Sequence, residues 1–456
     1  MRISILLFLC FLCCSCNKFL EVQPPPGNLS PGEVFETDET ATAAIIGLYI
    51  KYPIYFGYMS STHMGLYADE LNYVPSSSSA TGYETTMQFH ESRLQEDNST
   101  LQYFWQEAYN FIYRCTLCIE NIAASEAVSA PLKKQLTAEA AFLRALSYYK
   151  IVRQFKRVPL IKGTDYRENA VIPQADPEEV YAYIMEDLKN VITLLKDEPL
   201  TAKRTRVTKY AAQALLASVE LSRKNWEQAA LMAGEVISAF GMDDLPPLSA
   251  VFRDNSTEAI FHVEPNTENG YSSESYVFIP STVTVIPQYV IRDGLVAAFE
   301  PGDKRREEWM GKNTVNGVDY YYAAKYKMRA STLPKENHVV LRLAEQYLIR
   351  AEAECQRDRF PQAIADLDRV RKRAGLPLIA DTRPDISKED LLEAIYHERR
   401  VELFAENGHR WYDLLRTGKA DAVMGQLKPQ TWNSRGVAWP IPQNELDANP
   451  FLEPNY

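Results

Sequence analysis

The chain has 456 residues, with 49 Lys+Arg against 60 Asp+Glu and a formal net charge of −11 at pH 7. A protein that neutralises phosphates needs a basic face, so this acidic balance argues against nucleic-acid binding and for neutral ligands or protein partners. Beyond the N-terminal segment the cysteines are Cys16, Cys115, Cys118 and Cys355, which form no disulfide framework, so stability has to come from a large core.

Arg2 is followed by an apolar run from Ile3 to Cys14 broken only by Ser4, then by Ser15, Cys16 and polar Asn17-Lys18. The run is too short to span a bilayer, which takes roughly 20 apolar residues, and it has the layout of a secretory signal. We read residues 1–15 as a signal peptide and Cys16 as the first mature residue, a thiol placed to carry acyl chains. Two or more such chains hold a protein on a membrane stably. No second long apolar segment follows.

Residues 16–456 read as a single, mostly α-helical domain with long irregular insertions and a few short strands. Residues 53–100 are rich in Tyr, Ser, Asn, Pro and Gly, the composition of a functional insertion. Next comes the stripe Leu101, Trp105, Ala108, Ile112, Cys115, Ile119 and Ile122, which predicts a helix with one buried face. Asp176, Pro177 and Glu179 give a cap, a first-turn proline and a capping-box acid ahead of Val180, Ile184, Leu188, Val191 and Leu195. Ala217, Leu221, Trp226, Gln228 and Ala229 then match Ala351, Cys355, Phe360, Gln362 and Ala363, each 134 positions on. Small residues that let two helices approach, followed by an aromatic plug, are the logic of tetratricopeptide-like repeats. Segments 137–157 and 176–196 extend the series, and the helical repeats are expected over about 100–240 and 338–420. The second insertion, 241–335, contains Ser281 to Ile286, whose alternation predicts a brief strand. Ser387 and Asp390 open a last long helix carrying Leu391, Ile395 and Leu403.

Motifs that announce chemistry are scarce. Cys115 and Cys118 form a CxxC within a periodic helix, which predicts packed apolar thiols rather than a redox pair. His397-Glu398 starts like a zinc-protease helix, but the second histidine is replaced by Val401. No phosphate loop, GxSxG or GxGxxG is present. The basic run Arg369, Arg371, Lys372 and Arg373 ends a helix before Gly375, where it complements the helix dipole. Aromatics outside the periodic helices carry the best functional signal, because sugar rings stack on them while Asn, Asp and Arg meet hydroxyls.

A set of motifs in order along the chain resembles the SusD/RagB family of outer-membrane nutrient-binding lipoproteins. The motifs are Asn17-Lys18-Phe19-Leu20-Glu21, Glu300-Pro301-Gly302-Asp303-Lys304-Arg305-Arg306, Arg342-Leu343-Ala344-Glu345 and Val370-Arg371-Lys372-Arg373-Ala374-Gly375. They continue with Glu398-Arg399-Arg400-Val401-Glu402-Leu403, Gly408-His409-Arg410-Trp411-Tyr412-Asp413 and Trp439-Pro440-Ile441-Pro442. The resemblance implies a tetratricopeptide-like scaffold held on the outer membrane by lipid at Cys16 and facing outward. It also implies capture of oligosaccharides, or of peptides in some members, without catalysis, and delivery to a TonB-dependent, SusC-like transporter. Its C-terminal signatures read as structural helices, and no ligand residue carries over by motif. The expected cleft lies between loops 60–100 and 267–335, with Tyr73, Tyr83, Tyr276, Trp309 and Tyr321 as stacking platforms and Asp69 as a hydroxyl acceptor. No cofactor or metal is expected. A secreted glycan-cleaving enzyme is the rival class, and a pure assembly adaptor is a weaker one.

Overall fold

A computed structural model describes residues 33–75, 82–195, 204–241, 244–265, 271–329 and 335–455; the signal segment and Cys16 lie outside them. The chain enters through α1 (Asp38–Phe56) and α2 (Tyr58–Tyr67), then a short strand β1 (Leu71–Tyr73) and α3 (Tyr83–His90). Much of the segment read as irregular from its composition is therefore helical. Two of its tyrosines serve the core: Tyr67 and Tyr73 are buried.

Next come α4 (Ser99–Ala124) and α5 (Ala130–Phe155). Asn98 caps α4, its side chain accepting from the backbone N–H of Thr100 and Leu101. The predicted stripe faces inward, and Cys115 and Cys118 lie buried within it as free thiols. Burial raises both, Cys118 to about 11, which keeps them protonated and inert. From Leu136 to Phe155 nearly every residue of α5 is buried, so this helix is the axis of the molecule. Two of its internal charges are paired: Arg144 grips Asp187 at 2.9–3.0 Å, and Glu139 accepts from Arg206 at 2.6–2.7 Å.

The helix α6 (Pro177–Leu194) packs on α5 and starts at Asp176, whose carboxylate caps Glu178 N–H at 2.9 Å. The repeat pairs follow as α7 (Lys209–Ser222) with α8 (Trp226–Phe240), and α11 (Leu343–Gln356) with α12 (Phe360–Ala374). Helix boundaries keep the offset seen between the two sequence stretches. Ala217, Leu221, Ala229, Ala230 and Ala233 meet Ile349 and Ala353 in one closed seam, with Trp226 against it, so small residues bring α8 onto α11. Gly241 and Gly375 end α8 and α12 in the left-handed conformation at φ 55° and 77°.

Between the pairs run β2 (Ala259–Val263), α9 (Ser273–Phe278), β3 (Tyr289–Ile291), α10 (Lys304–Trp309), β4 (Met310–Val315), β5 (Val318–Ala323) and β6 (His338–Arg342). Pairings are antiparallel: β1 with β3, β2 with β6, and β4 with β5. The β4–β5 hairpin turns through Asn316-Gly317, both at positive φ, which suits a two-residue turn. No strand forms over 281–286, contrary to the alternating pattern. Pro280 and Pro287 bracket the segment, Val283 and Val285 face solvent, and Asn313 Nδ2 donates to the carbonyls of Thr282 and Val285 at 2.9 and 2.7 Å. A side-chain amide thus takes carbonyls that a partner strand would otherwise satisfy.

The C-terminal part, α13 (Lys388–Glu402) and α14 (His409–Arg416), is followed by a tail that returns to the start of the chain. Trp439 is fully buried against Tyr67, Phe89, Phe104 and Phe155, and its backbone N–H donates to Gln154 O at 2.8 Å.

Candidate functional site: an aromatic cleft beside a buried ion network

The site is built where two insertions meet. Register Leu71↔Ile291, Asn72↔Val290 and Tyr73↔Tyr289 ties the first insertion to the second. The helix α9 starts at Ser272, whose hydroxyl accepts from Ser275 N–H at 3.1 Å, while Ser275 Oγ donates to Met328 O at 2.9 Å. The second of these bonds fixes α9 against the segment that carries Arg329. Tyr276 then projects outward from α9 and is 53% exposed. Its ring stacks on Tyr271 at 6.0 Å and 16°, and the Arg329 guanidinium lies over it, 4.7 Å from the centroid. The open cleft beside them has a volume of about 670 Å³ and is lined by Val74, Pro75, Tyr276, Phe278, Pro280, Ser281, Gln288, Tyr289 and Arg329 among others. Underneath runs a row of rings: Tyr83 to Tyr73 at 6.3 Å, Tyr73 to Tyr289 at 5.9 Å and Tyr289 to Phe278 at 6.1 Å. Such a surface offers flat apolar faces to a ligand while Gln288, Ser281 and Arg329 supply polar contacts.

The six residues expected to touch ligand fall in three groups. Tyr276 lines the cleft, and Tyr73 and Tyr83 belong to the row beneath it, Tyr73 buried and Tyr83 half-buried. Tyr321 sits half-buried on the β4–β5 hairpin, 6.0 Å from the Arg306 guanidinium, and does not line this cleft. Trp309 and Asp69 are corrections. Trp309 is fully buried, its indole N–H donates to Leu248 O at 3.1 Å, and Phe252, Lys325 and Arg373 cover its ring. Asp69 is buried and accepts two bonds from Arg410, at 2.7 and 2.9 Å, and one contact from Arg400 at 3.0 Å. Burial pushes its carboxyl up, but the two guanidiniums outweigh that and hold it below the usual range. Burial behind these two arginines keeps it from a sugar hydroxyl. Sequence reasoning missed Tyr289, Gln288 and Arg329, which become neighbours only through the β1–β3 pairing and the α9 anchor.

The signature motifs converge elsewhere, on a charge network sealed inside the protein. Arg305 bonds Asp303, Glu398 at 2.6 Å and Glu402 at 2.9 Å. Arg342 bonds Glu258 at 3.0 Å, Glu402 at 2.6 Å and Glu406 at 2.8 Å. Arg371 reaches Glu300 and Glu398, Arg373 reaches Glu258 and Glu402, and Lys325 reaches Glu406. Burial works against ionising Glu402, yet Arg373, Arg342 and Arg305 hold its carboxyl well below the usual range. Half of the basic run at the end of α12 is therefore not a surface complement to the helix dipole: Arg371 and Arg373 point into the core, while Lys372 and Arg369 face Asp244 outside. Three- and four-residue spacing within helices does not explain these pairings, which join residues up to 115 positions apart.

Two sequence models of known families match separate parts of the chain. One, described as SusD family, matches residues 301–456, and the other, described as starch-binding associating with outer membrane, matches residues 18–221. The chain belongs to the SusD/RagB family. A SusD-like protein of Formosa agariphila is 24% identical over 99% of this chain and 97% of its own length. A second from that organism is 27% identical over 97% and 95%, and one from Bacteroides ovatus is 25% identical over 89% and 80%. Among solved structures, a laminarin-binding SusD-like protein superposes with a TM-score of 0.78 at 25% identity, covering 92% of this chain and 99% of the other. A SusD homologue from Bacteroides thetaiotaomicron superposes with a TM-score of 0.80 at 20% identity over 93% and 98%. The SusD-like scaffold, mostly helical with tetratricopeptide-like pairs, is thus shared along nearly the whole length.

Proposed function

We propose that this SusD-like chain is a non-catalytic capture protein, lipid-anchored at Cys16 on the outer face of the outer membrane. It holds oligosaccharides in the Tyr271–Tyr276 cleft and delivers them to a TonB-dependent, SusC-like transporter. The observation that carries the reading is the solvent-exposed Tyr276, stacked on Tyr271 at the edge of a wide cleft whose floor is aromatic. The laminarin-binding relative and the starch-binding description of the N-terminal family support it. A glycosidase sets two carboxyl groups across the scissile bond. Among the described residues the cleft lining contains no Asp or Glu, which favours holding over cutting. A shallow, open cleft suits micromolar to millimolar affinity, about −8 to −4 kcal/mol, so that a captured chain is released again.

Calorimetric titration of the mature protein with laminarin-, starch- and galactan-derived oligosaccharides tests this, with a peptide pool as the competing ligand class. Tyr276→Ala is expected to weaken glycan binding by about two- to tenfold, since one aromatic stacking contact is worth about 0.5–1.5 kcal/mol. Unchanged binding in that variant, exclusive binding of peptides, or new reducing ends during incubation would each overturn the reading.

A further inference from the structure

Resting on that reading of the cleft, we infer that its ligand is an anionic glycan, with Arg329 as the group that recognises a carboxylate or sulfate on the sugar. Among the described residues that line the cleft, Arg329 is the one charged side chain. Elsewhere in this protein several guanidiniums are held by acids, Arg144 by Asp187, Arg206 by Glu139, Arg350 by Asp366, Arg410 by Asp69 and Arg416 by Glu352, while half-buried Arg153 lies against the Tyr149 and Tyr412 rings and half-buried Arg204 and Arg292 donate to backbone carbonyls. Arg329 makes no ion pair among the described residues, and its Nε is buried without a hydrogen-bond partner. The guanidinium lies over the Tyr276 ring.

A cation kept partly out of water without a counter-charge costs stability, and a bound anion offsets that cost. The guanidinium fork also matches carboxylate and sulfate geometry, so it discriminates between charged and neutral sugars rather than merely attracting polar ones. Its setting sharpens the point: the chain as a whole carries −11, and an acidic surface repels anionic polymers at long range. A local, undischarged cation beside the stacking platform is the feature that reverses the preference within the cleft.

The test titrates the full mature protein with length-matched oligosaccharides at low ionic strength. The arms are oligogalacturonate for carboxylate, oligosaccharides of a sulfated galactan for sulfate, and neutral galactan and laminarin oligosaccharides as controls. The expected result is at least tenfold tighter binding of one anionic arm than of the neutral ones, lost in Arg329→Gln, partly kept in Arg329→Lys, and weakened by added salt. Which anionic arm binds identifies the group read. Arg329→Gln is also expected to melt no lower than the parent when ligand is absent, which separates recognition from a fold defect. Neutral oligosaccharides binding as tightly, with sensitivity to Tyr276→Ala but not to Arg329→Gln, would overturn the anionic inference and leave the cleft standing. Binding insensitive to both substitutions, or no glycan binding, would overturn the cleft itself.

Discussion

Single residues in this protein separate cleanly by what surrounds them. Trp309 and Tyr276 are both large aromatics of the second insertion, yet one roofs the ion network and the other faces solvent. Trp309→Ala is expected to destabilise by about 3–5 kcal/mol in urea titrations, with ligand affinity of the folded fraction unchanged, whereas Tyr276→Ala should shift stability by less than about 1 kcal/mol and lose affinity. Glu402→Gln leaves three guanidiniums short of a charge partner, and about 3–5 kcal/mol of destabilisation is expected from breaking such a buried cluster on one side. Glu70 gives the opposite case. Burial and the neighbouring Asp69 push its carboxyl up to about 8. The folded state therefore keeps a proton that the unfolded chain releases near the ordinary value of 4.5, so this group's contribution is complete below pH 4.5 and fades as pH rises toward 8. Glu70→Gln should remove that slope, and unfolding measured at pH 5 and pH 8 should show the variant gaining on the parent by on the order of 2 kcal/mol at the higher pH.

At the level of helices and strands, caps and seams do the specifying. Asn98 accepts from two first-turn amides of α4 and donates to Thr85 O and Gln88 Oε1, so it fixes both the start of α4 and the position of α3. Asn98→Ala is expected to lower stability by about 1–2 kcal/mol, read as a fall in melting temperature. The long helices were legible in the sequence because their buried positions recur at 3.6 residues and two of them start at the caps Asp176 and Ser387; the cap Asn98 emerged only with the structure. The repeat offset was legible because close helix packing demands small residues at fixed places. The insertions were not. Alternation at 281–286 looked like a strand, but a strand needs a partner edge, and Asn313 took the carbonyls instead. Of the candidate site, Tyr276 could be picked from composition, while Tyr289 and Arg329 could not, since each reaches the cleft through tertiary pairing. Trp309 and Asp69 were misplaced for one reason: an aromatic or an acid in a loop-rich tract carries the same letter whether it meets a ligand or a buried arginine.

Across the whole molecule, the expected signal at residues 1–15 and lipid at Cys16 are tested by labelling cells with palmitate. Cys16→Ser is expected to lose the label and appear in the soluble fraction, and a labelled, membrane-bound variant would refute the anchor. Copurification of the tagged protein with a TonB-dependent barrel from detergent extracts is the matching test of the transporter partner. The C-terminal segment completes a core that the N-terminal helices leave unfinished. Trp439 plugs a pocket formed by Tyr67, Phe89, Phe104 and Phe155, and Asn455 Nδ2 donates to Phe155 O at 2.8 Å. Arg410 likewise holds Asp69 from 341 positions away. Synthesis delivers the N-terminal helices first, yet the pocket beneath the first insertion stays open until the segment carrying Trp439 has been made. A stop codon at or before position 439 thus removes the ring that fills the space between Tyr67, Phe89, Phe104 and Phe155, and leaves an apolar hollow at the heart of the molecule.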